Sequence, residues 1–258
     1  MTEDSVMLEP SERLDYLLTH DMRIIQSDEV FSFSIDAVLL ARFVSVPPRG
    51  RVLDLCTGNG VIPLLLSTRT SAHIGGIEIQ PRLANMAQRS VQLNGLESRI
   101  EIKQGDLKEL MPEGDKSYYD CITVNPPYMP LTTGEPKENV YKAMARHEIG
   151  CTLEDVVACA ARLLQTGGKL AMVHRPARLT DILDLLRRYR LEPKRIRFVH
   201  SRIDTEANMV LVEAIRNGKP DVRLLPPLIV YTDKNEYVEE LNDIYYGRRS
   251  ELRNGDHE

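Results

Sequence analysis

Asp54-Leu55-Cys56-Thr57-Gly58-Asn59-Gly60 is the stretch on which the fold turns. An apolar run, Arg51 to Leu55, leads into it and a helical pattern, Val61 to Ser67, leaves it, so the chain reads strand, glycine turn, helix. Glycines at 58 and 60 permit a tight turn and a close approach of a ligand to the backbone, and the amino terminus of the next helix favours a negative group. A dinucleotide fingerprint would place glycine or alanine three residues beyond Gly60. That position holds Pro63, behind the bulky Val61 and Ile62, so a pyrophosphate fits poorly.

Outward from this unit, strands and helices alternate. Strands are expected at Arg51 to Leu55, His73 to Ile79, Arg99 to Gln104, Tyr119 to Val124, Lys169 to His174, Arg195 to Val199 and Asn208 to Ile215. Helices are expected at Val61 to Ser67, Pro81 to Asn94, Leu153 to Leu164 and Ala177 to Tyr189. Alternation of this kind implies an α/β, doubly wound, largely parallel sheet covered on both faces. The last two strands have no helix between them and are expected to pair as an antiparallel edge hairpin. Ahead of the first strand, Arg13 to Thr19 has weak helical periodicity and Met22 to Gln26 reads as a short strand. Phe31 to Phe43 reads as a helix capped by Ser34, with Asp36 in its first turn and Pro47-Pro48 beyond its end. Residues 1–46 are therefore expected to pack as an extension on a domain of residues 47–246, and residues 247–258 to form a disordered tail. Met129 to Lys137 and Asn217 to Pro227 break the pattern as loops.

Composition narrows the function classes. With 258 residues, 42% hydrophobic and 28% charged, the chain can bury a sizeable core. A net charge of −5 argues against a general nucleic-acid coat while leaving room for a local basic face. Met1 to Pro10 is polar and acidic, without the features of a signal peptide, and no apolar run reaches membrane-spanning length, so a cytoplasmic protein is expected. Cys56, Cys121, Cys151 and Cys159 are widely separated and read as reduced core thiols, and His147-Glu148 lacks the second histidine of H-E-x-x-H. No metal site is expected.

Three further strand ends carry polar groups. Asn125-Pro126-Pro127-Tyr128 follows Tyr119 to Val124, at the carboxyl end where open parallel sheets bind ligands. Its two prolines remove two backbone donors and stiffen the turn, leaving the Asn125 amide and the Pro126 carbonyl at a cleft beside an aromatic ring. Glu78, eighteen residues after Gly60 and followed by Ile79, ends the second strand, where a carboxylate can accept from both hydroxyls of a ribose. Asp106 follows the third strand and could accept from an adenine amino group, with Leu107 against the ring. Each alone is a common cap or turn residue; four on successive strand ends point to one ligand site.

Asp54-x-x-x-Gly58-x-Gly60, Glu78, Gly105-Asp106 and Asn125-Pro126-Pro127-Tyr128 resemble the ordered motifs of class I S-adenosylmethionine-dependent methyltransferases, the last resembling their amino-methylating branch. The resemblance runs from Met22 to about Tyr246. Within that class, Phe31 to Leu40, Arg146-His147-Glu148, Leu228 to Tyr231 and Asn235-Glu236-Tyr237 are similar to bacterial adenine-N6 methyltransferases that act beside the anticodon of a valine tRNA. It implies a Rossmann-like, seven-stranded, mostly parallel sheet with an antiparallel last strand. It also implies S-adenosylmethionine as methyl donor, with S-adenosylhomocysteine as product and no metal. Glu78 and Ile79 would hold the ribose side, Asp106 and Leu107 the adenine, and Asp54, Thr57, Gly58 and Gly60 the methionine part, with Asn125 next to it.

An exocyclic amine is a poor nucleophile because its lone pair is delocalised into the ring. Asn125 and the Pro126 carbonyl, held by Pro127, could accept its two hydrogens while Tyr128 stacks on the base. RNA binding is expected from Lys137, Lys142 and Arg146 and from Arg187 and Arg188, the latter two in a basic run that continues through Arg190, Lys194, Arg195 and Arg197. The expected partner is tRNA, and the expected state a monomer or homodimer. Two other readings fit parts of the pattern: a protein glutamine N5-methyltransferase acting on release factors, whose usual amino-terminal helical domain is longer than the segment before Arg51, and a non-catalytic S-adenosylmethionine- or RNA-binding module.

Overall fold

Backbone pairing overrules local periodicity at the start of the chain. In the computed structural model, which describes residues 6–17, 19–30, 32–112, 119–128 and 151–247, β1 (Glu12–Leu17) and β2 (Met22–Ser27) form a separate antiparallel hairpin. The helical reading of Arg13 to Thr19 is thus corrected: a lone helix this short is marginal, whereas six residues paired with β2 satisfy their backbone groups. Helix α1 covers Ile35–Phe43. Ser34 stands at its N-cap, but its hydroxyl bonds no backbone amide and donates instead to Asp36 Oδ1, which also accepts the Ala37 N–H at 2.9 Å. The loop 129–137, Lys137, Lys142, Arg146 and the expected tail beyond Gly247 lie outside the described residues.

The alternation then follows in order. It comprises β3 (Arg51–Leu55), α2 (Val61–Ser67), β4 (His73–Glu78), α3 (Pro81–Leu93), β5 (Ile100–Gln104) and β6 (Tyr119–Val124). After the gap come α4 (Leu153–Leu163), β7 (Leu164–His174), α5 (Leu179–Arg188), β8 (Leu191–His200) and β9 (Ala207–Arg216). Two short strands, β10 (Arg223–Leu224) and β11 (Leu228–Ile229), precede α6 (Glu239–Tyr246).

The sheet runs β10-β8-β9-β7-β6-β3-β4-β5, with β11 also on β8. Every pairing is parallel except those of β9, which is antiparallel to both β7 and β8. The expected hairpin therefore forms, but β9 lies inside the sheet. Its run from Met209 to Ala214 is buried throughout, as an interior strand requires. β10 and β11 raise the expected seven strands to nine. One core packs α1, α2, α3 and α6 on one face, and a second packs α4 and α5 on the other.

Two buried carboxylates tie the strands together. Asp54 and Thr123 are opposite each other in the β3–β6 register, and the Thr123 hydroxyl donates to Asp54 Oδ1 at 2.6 Å. Asp54 is fully buried, and that burial pushes its pKa up to about 7 against this bond. On β9, Glu213 accepts from the Ser45 N–H (2.7 Å), the Ser45 hydroxyl (3.0 Å) and Arg195 Nη1 (3.1 Å), while the Arg195 guanidinium lies 4.6 Å over the Phe43 ring. Arg195 thus holds the segment after α1 against β8 and β9.

An unfolded aspartate ionises near 3.8, so between about pH 4 and 7 folding takes up a proton at Asp54 and stability falls as pH rises. Denaturant titrations of wild type should show a decline of about 1.4 kcal/mol per pH unit beyond that of Asp54→Asn; equal slopes would refute this. Glu213→Ala, which strands a part-buried guanidinium, should cost about 3 kcal/mol in the same assay. A loss below about 1 kcal/mol would show that Arg195 finds another partner.

Candidate active site

The carboxyl ends of β3, β4, β5 and β6 meet at one edge of the sheet and frame a cleft. Its empty space, open mouth included, is about 900 Å3. Thr57, Gly58, Glu78, Ile79, Asp106, Leu107, Asn125 and Pro127 line it, with Phe33 and Ala37 from around the start of α1 across from them. Eight sequence-expected positions are thus brought together.

The glycine turn is shaped by left-handed residues: Cys56 at φ +55°, Gly58 at +56° and Gly60 at +86°. At Gly60 a Cβ would also sit 3.1 Å from the Ala87 Cβ of α3, so helix and turn approach as only glycine allows. The Thr57 N–H donates to the Ile77 carbonyl at 3.0 Å, and the Gly58 N–H to Glu78 Oε2 at 2.9 Å. Asn59, 3% exposed, donates to the Ile25 carbonyl of β2 at 3.1 Å, so the amino-terminal hairpin clamps the turn from outside. Asn59 was not singled out from the sequence; its only signal there is a side-chain donor between two glycines.

Glu78 is 5% exposed, and its Oε1 accepts the Gln80 N–H at 2.9 Å. Burial pushes its pKa up, opposed by the backbone donors of Gln80 and Gly58. A carboxylate has about four acceptor sites, so these backbone donors leave lone-pair capacity for a ligand. Among the described residues, Gln80 Oε1 is buried at the cleft with no hydrogen-bond partner, which is what a ligand-contacting group looks like before a ligand arrives, and the Thr57 hydroxyl is buried there beside Asp54. Asp106 Oδ1 caps the turn at Leu107–Glu109 by accepting the Lys108 N–H at 2.9 Å, and Leu107 packs beside it. Asp54 and Gly60 do not line the cleft. The carboxylate expected to meet the ligand faces the core between β3 and β6, and acts on the turn from beneath.

The clamp also differs from a free platform. Asn125 and Tyr128 are half-buried and Pro126 is buried. Tyr128 Oη donates to Asp36 Oδ2 at 2.6 Å and touches the Asn125 carboxamide. Its ring meets His174 edge-on at 5.2 Å and lies 5.4 Å beneath the Arg175 guanidinium. Burial and the neighbouring Asp36 carboxylate push the phenol pKa well up, so it keeps its proton. Burial brings His174 down to about 4, and its Nδ1 accepts the Arg175 N–H at 2.8 Å, which leaves a neutral imidazole. Tyr128 is thus a held ring with a fixed hydroxyl.

The expected basic patch does not reach the clamp. Arg187 and Arg188 end α5, which delivers the chain to the amino end of β8, the sheet edge opposite the cleft. Arg187 lies 3.9 Å from Glu192, and Arg188 lies 2.7 Å from Asp184 and 3.6 Å from Glu154. Arg197 is bound to Glu240 at 2.7 Å. Among the described residues the cation beside the clamp is Arg175, whose sequence signal is its place just after a parallel strand. Among the described residues no group of histidine, cysteine and acidic side chains could hold a metal, and no helix is long and apolar enough to cross a membrane.

The model of the methyltransferase small domain family matches residues 21–189. A tRNA1(Val) (adenine(37)-N6)-methyltransferase of Parabacteroides distasonis is 31% identical over 213 residues, covering 81% of this chain and 86% of the relative. One of the same name from Aeromonas salmonicida is 31% identical over 179 residues, covering 69% and 73%. A crystal structure of a predicted O-methyltransferase from Agrobacterium tumefaciens superposes with a TM-score of 0.66 over 83% of this chain and 97% of that one, at 23% identity, and shares the fold. The chain belongs to the methyltransferase small domain family and, within it, to the family of the tRNA1(Val) (adenine(37)-N6)-methyltransferases.

Proposed function

We propose that this methyltransferase moves a methyl group from S-adenosylmethionine to the N6 amine of an adenosine in tRNA, the adenosine beside the anticodon of a valine tRNA. The observation that carries the reading is the placement of Asn125 on the wall of the cleft that Glu78, Thr57 and Asp106 also line. The names of the relatives support the tRNA and the position.

The cleft suits the donor. Glu78 has acceptor capacity for ribose hydroxyls, Asp106 for an adenine amine, and the Thr57 hydroxyl and the Gln80 side-chain carbonyl offer polar contacts within a largely apolar wall. Bound there, the donor supplies an electrophilic sulfonium methyl. The protein's task is to improve and align the amine. The Asn125 side-chain oxygen and the Pro126 carbonyl accept its two hydrogens, which draws the nitrogen lone pair out of conjugation and stabilises the positive charge that develops on nitrogen. The stiff Pro126-Pro127 turn keeps the two acceptors in place, so little orientation is lost on reaching the transition state. An anticodon loop can present such a base unstacked at low cost.

Incubation with labelled S-adenosylmethionine and either total tRNA or release factors, followed by digestion, should yield N6-methyladenosine. Methylglutamine, or no transfer at all, would overturn the reading. Asn125→Ala should lower kcat by about 100-fold or more with donor affinity within about threefold of wild type; full activity would sink the mechanism. Glu78→Gln, which replaces one acceptor oxygen by an NH2 donor, should weaken donor binding by about 10- to 100-fold in calorimetric titrations. Unchanged affinity would remove the ribose contact.

A further inference from the structure

We propose that Asp36 orients the Asn125 carboxamide through the Tyr128 hydroxyl and is thereby a positioning residue for methyl transfer; its catalytic consequence rests on the function proposed above. Asp36 sits in the first turn of α1, ahead of the whole parallel sheet, and is 5% exposed. Its Oδ1 is occupied by the Ser34 hydroxyl and the Ala37 N–H. Its Oδ2 receives the Tyr128 hydroxyl at 2.6 Å, the distance of a charge-assisted O–H···O bond.

The same phenol oxygen lies against Asn125 Oδ1. With that end of the carboxamide toward it, two oxygens compete for one hydrogen, and the carboxylate, forming a bond roughly twice as strong, wins. The remaining contact would then be a repulsion between oxygens. The two ends of a carboxamide have nearly the same shape, so the hydrogen-bond network decides which end faces which neighbour. With Nδ2 toward the phenol, each of the two contacts has one donor and one acceptor: Asn125 Nδ2–H donates to Tyr128 Oη, and Tyr128 O–H donates to Asp36 Oδ2.

That orientation turns Asn125 Oδ1 toward the cleft that the residue lines, where a substrate amine needs an acceptor. Without the Asp36 carboxylate, the phenol is released to donate to Asn125 Oδ1. The carboxamide would then present its own NH2 to the incoming NH2, donor against donor. His174 and Arg175 hold the Tyr128 ring, so the hydroxyl cannot swing away from the pair it joins.

The first test needs no substrate or donor. In protein labelled with 15N-asparagine, the Asn125 side-chain signals are identified by their loss in Asn125→Asp. One Asn125 carboxamide proton should lie downfield of exposed asparagines and exchange slowly, and both features should disappear in Asp36→Asn and in Tyr128→Phe. Signals unmoved by Asp36→Asn would overturn the proposal. Kinetics then separate positioning from folding: each variant should lose about 10- to 100-fold in kcat for tRNA, with KM and donor affinity within about threefold. The double variant should be no slower than the slower single one. Tyr128→Phe leaves the helix-start bonds of Asp36 intact, so a loss confined to Asp36→Asn and accompanied by a fall in melting temperature would overturn the relay. If the amide signals respond but wild type methylates no tRNA, the relay stands and the substrate assignment falls.

Discussion

Parallel pairing of β3 with β4 and β6 is the constraint on which the site depends. Leu55 lies opposite Ile77 on one side and Val124 on the other, so the strands end at one level and release the chain on one edge of the sheet. Thr57, Glu78, Asp106 and Asn125 come together because each stands at, or one or two residues beyond, such an end. Side chains alternate between faces along a strand, so a slip of one residue would send Asp54 to the α4 and α5 core and break its bond to Thr123. Register, rather than any single contact, is what assembles the cleft.

The residues before the first parallel strand hold this assembly from outside. The Ile25 carbonyl of β2 accepts from Asn59 in the glycine turn, and Asp36 of α1 reaches Tyr128 in the clamp. The hairpin is in turn fastened to α3: Arg89 pairs with Glu12 at 2.6 Å, Ser90 accepts the Ile25 N–H at 3.0 Å, and Asn94 bonds the Arg23 backbone in both directions at 2.9 and 2.7 Å. Both the glycine turn and the Asn125–Tyr128 clamp are thus braced by a segment that supplies few residues to the lining of the cleft.

Local signals were enough for the strands and helices of the parallel core, because glycine turns, apolar runs and proline positions are written in short stretches. Glu78, Asp106 and Asn125 were legible because a strand end is a place as well as a residue. Asn59, Asp36 and Arg175 were less so. Their roles come from contacts with Ile25, Tyr128 and the Tyr128 ring, partners that are 34, 92 and 47 positions away in the chain. The placement of the basic run from Arg187 to Arg197 was hidden for the converse reason. Charge density along a sequence does not reveal that Arg195 turns inward to Glu213 or that α5 carries Arg187 to the far edge. The weak periodicity of Arg13 to Thr19 likewise gave way to pairing with a neighbour, which no propensity records.

The position of β9 between β7 and β8 also sets an order of assembly. β8 emerges from synthesis before β9, yet β8 has no bond to β7 and joins the rest of the sheet only through β9. A chain halted after His200 would hold a β8 with no place to dock and an exposed β7 edge, with the Glu213 that Arg195 needs still unmade. β8 can be joined to the sheet only once β9 is made, so the strands around the glycine turn leave the ribosome before the far side of the sheet can be sealed.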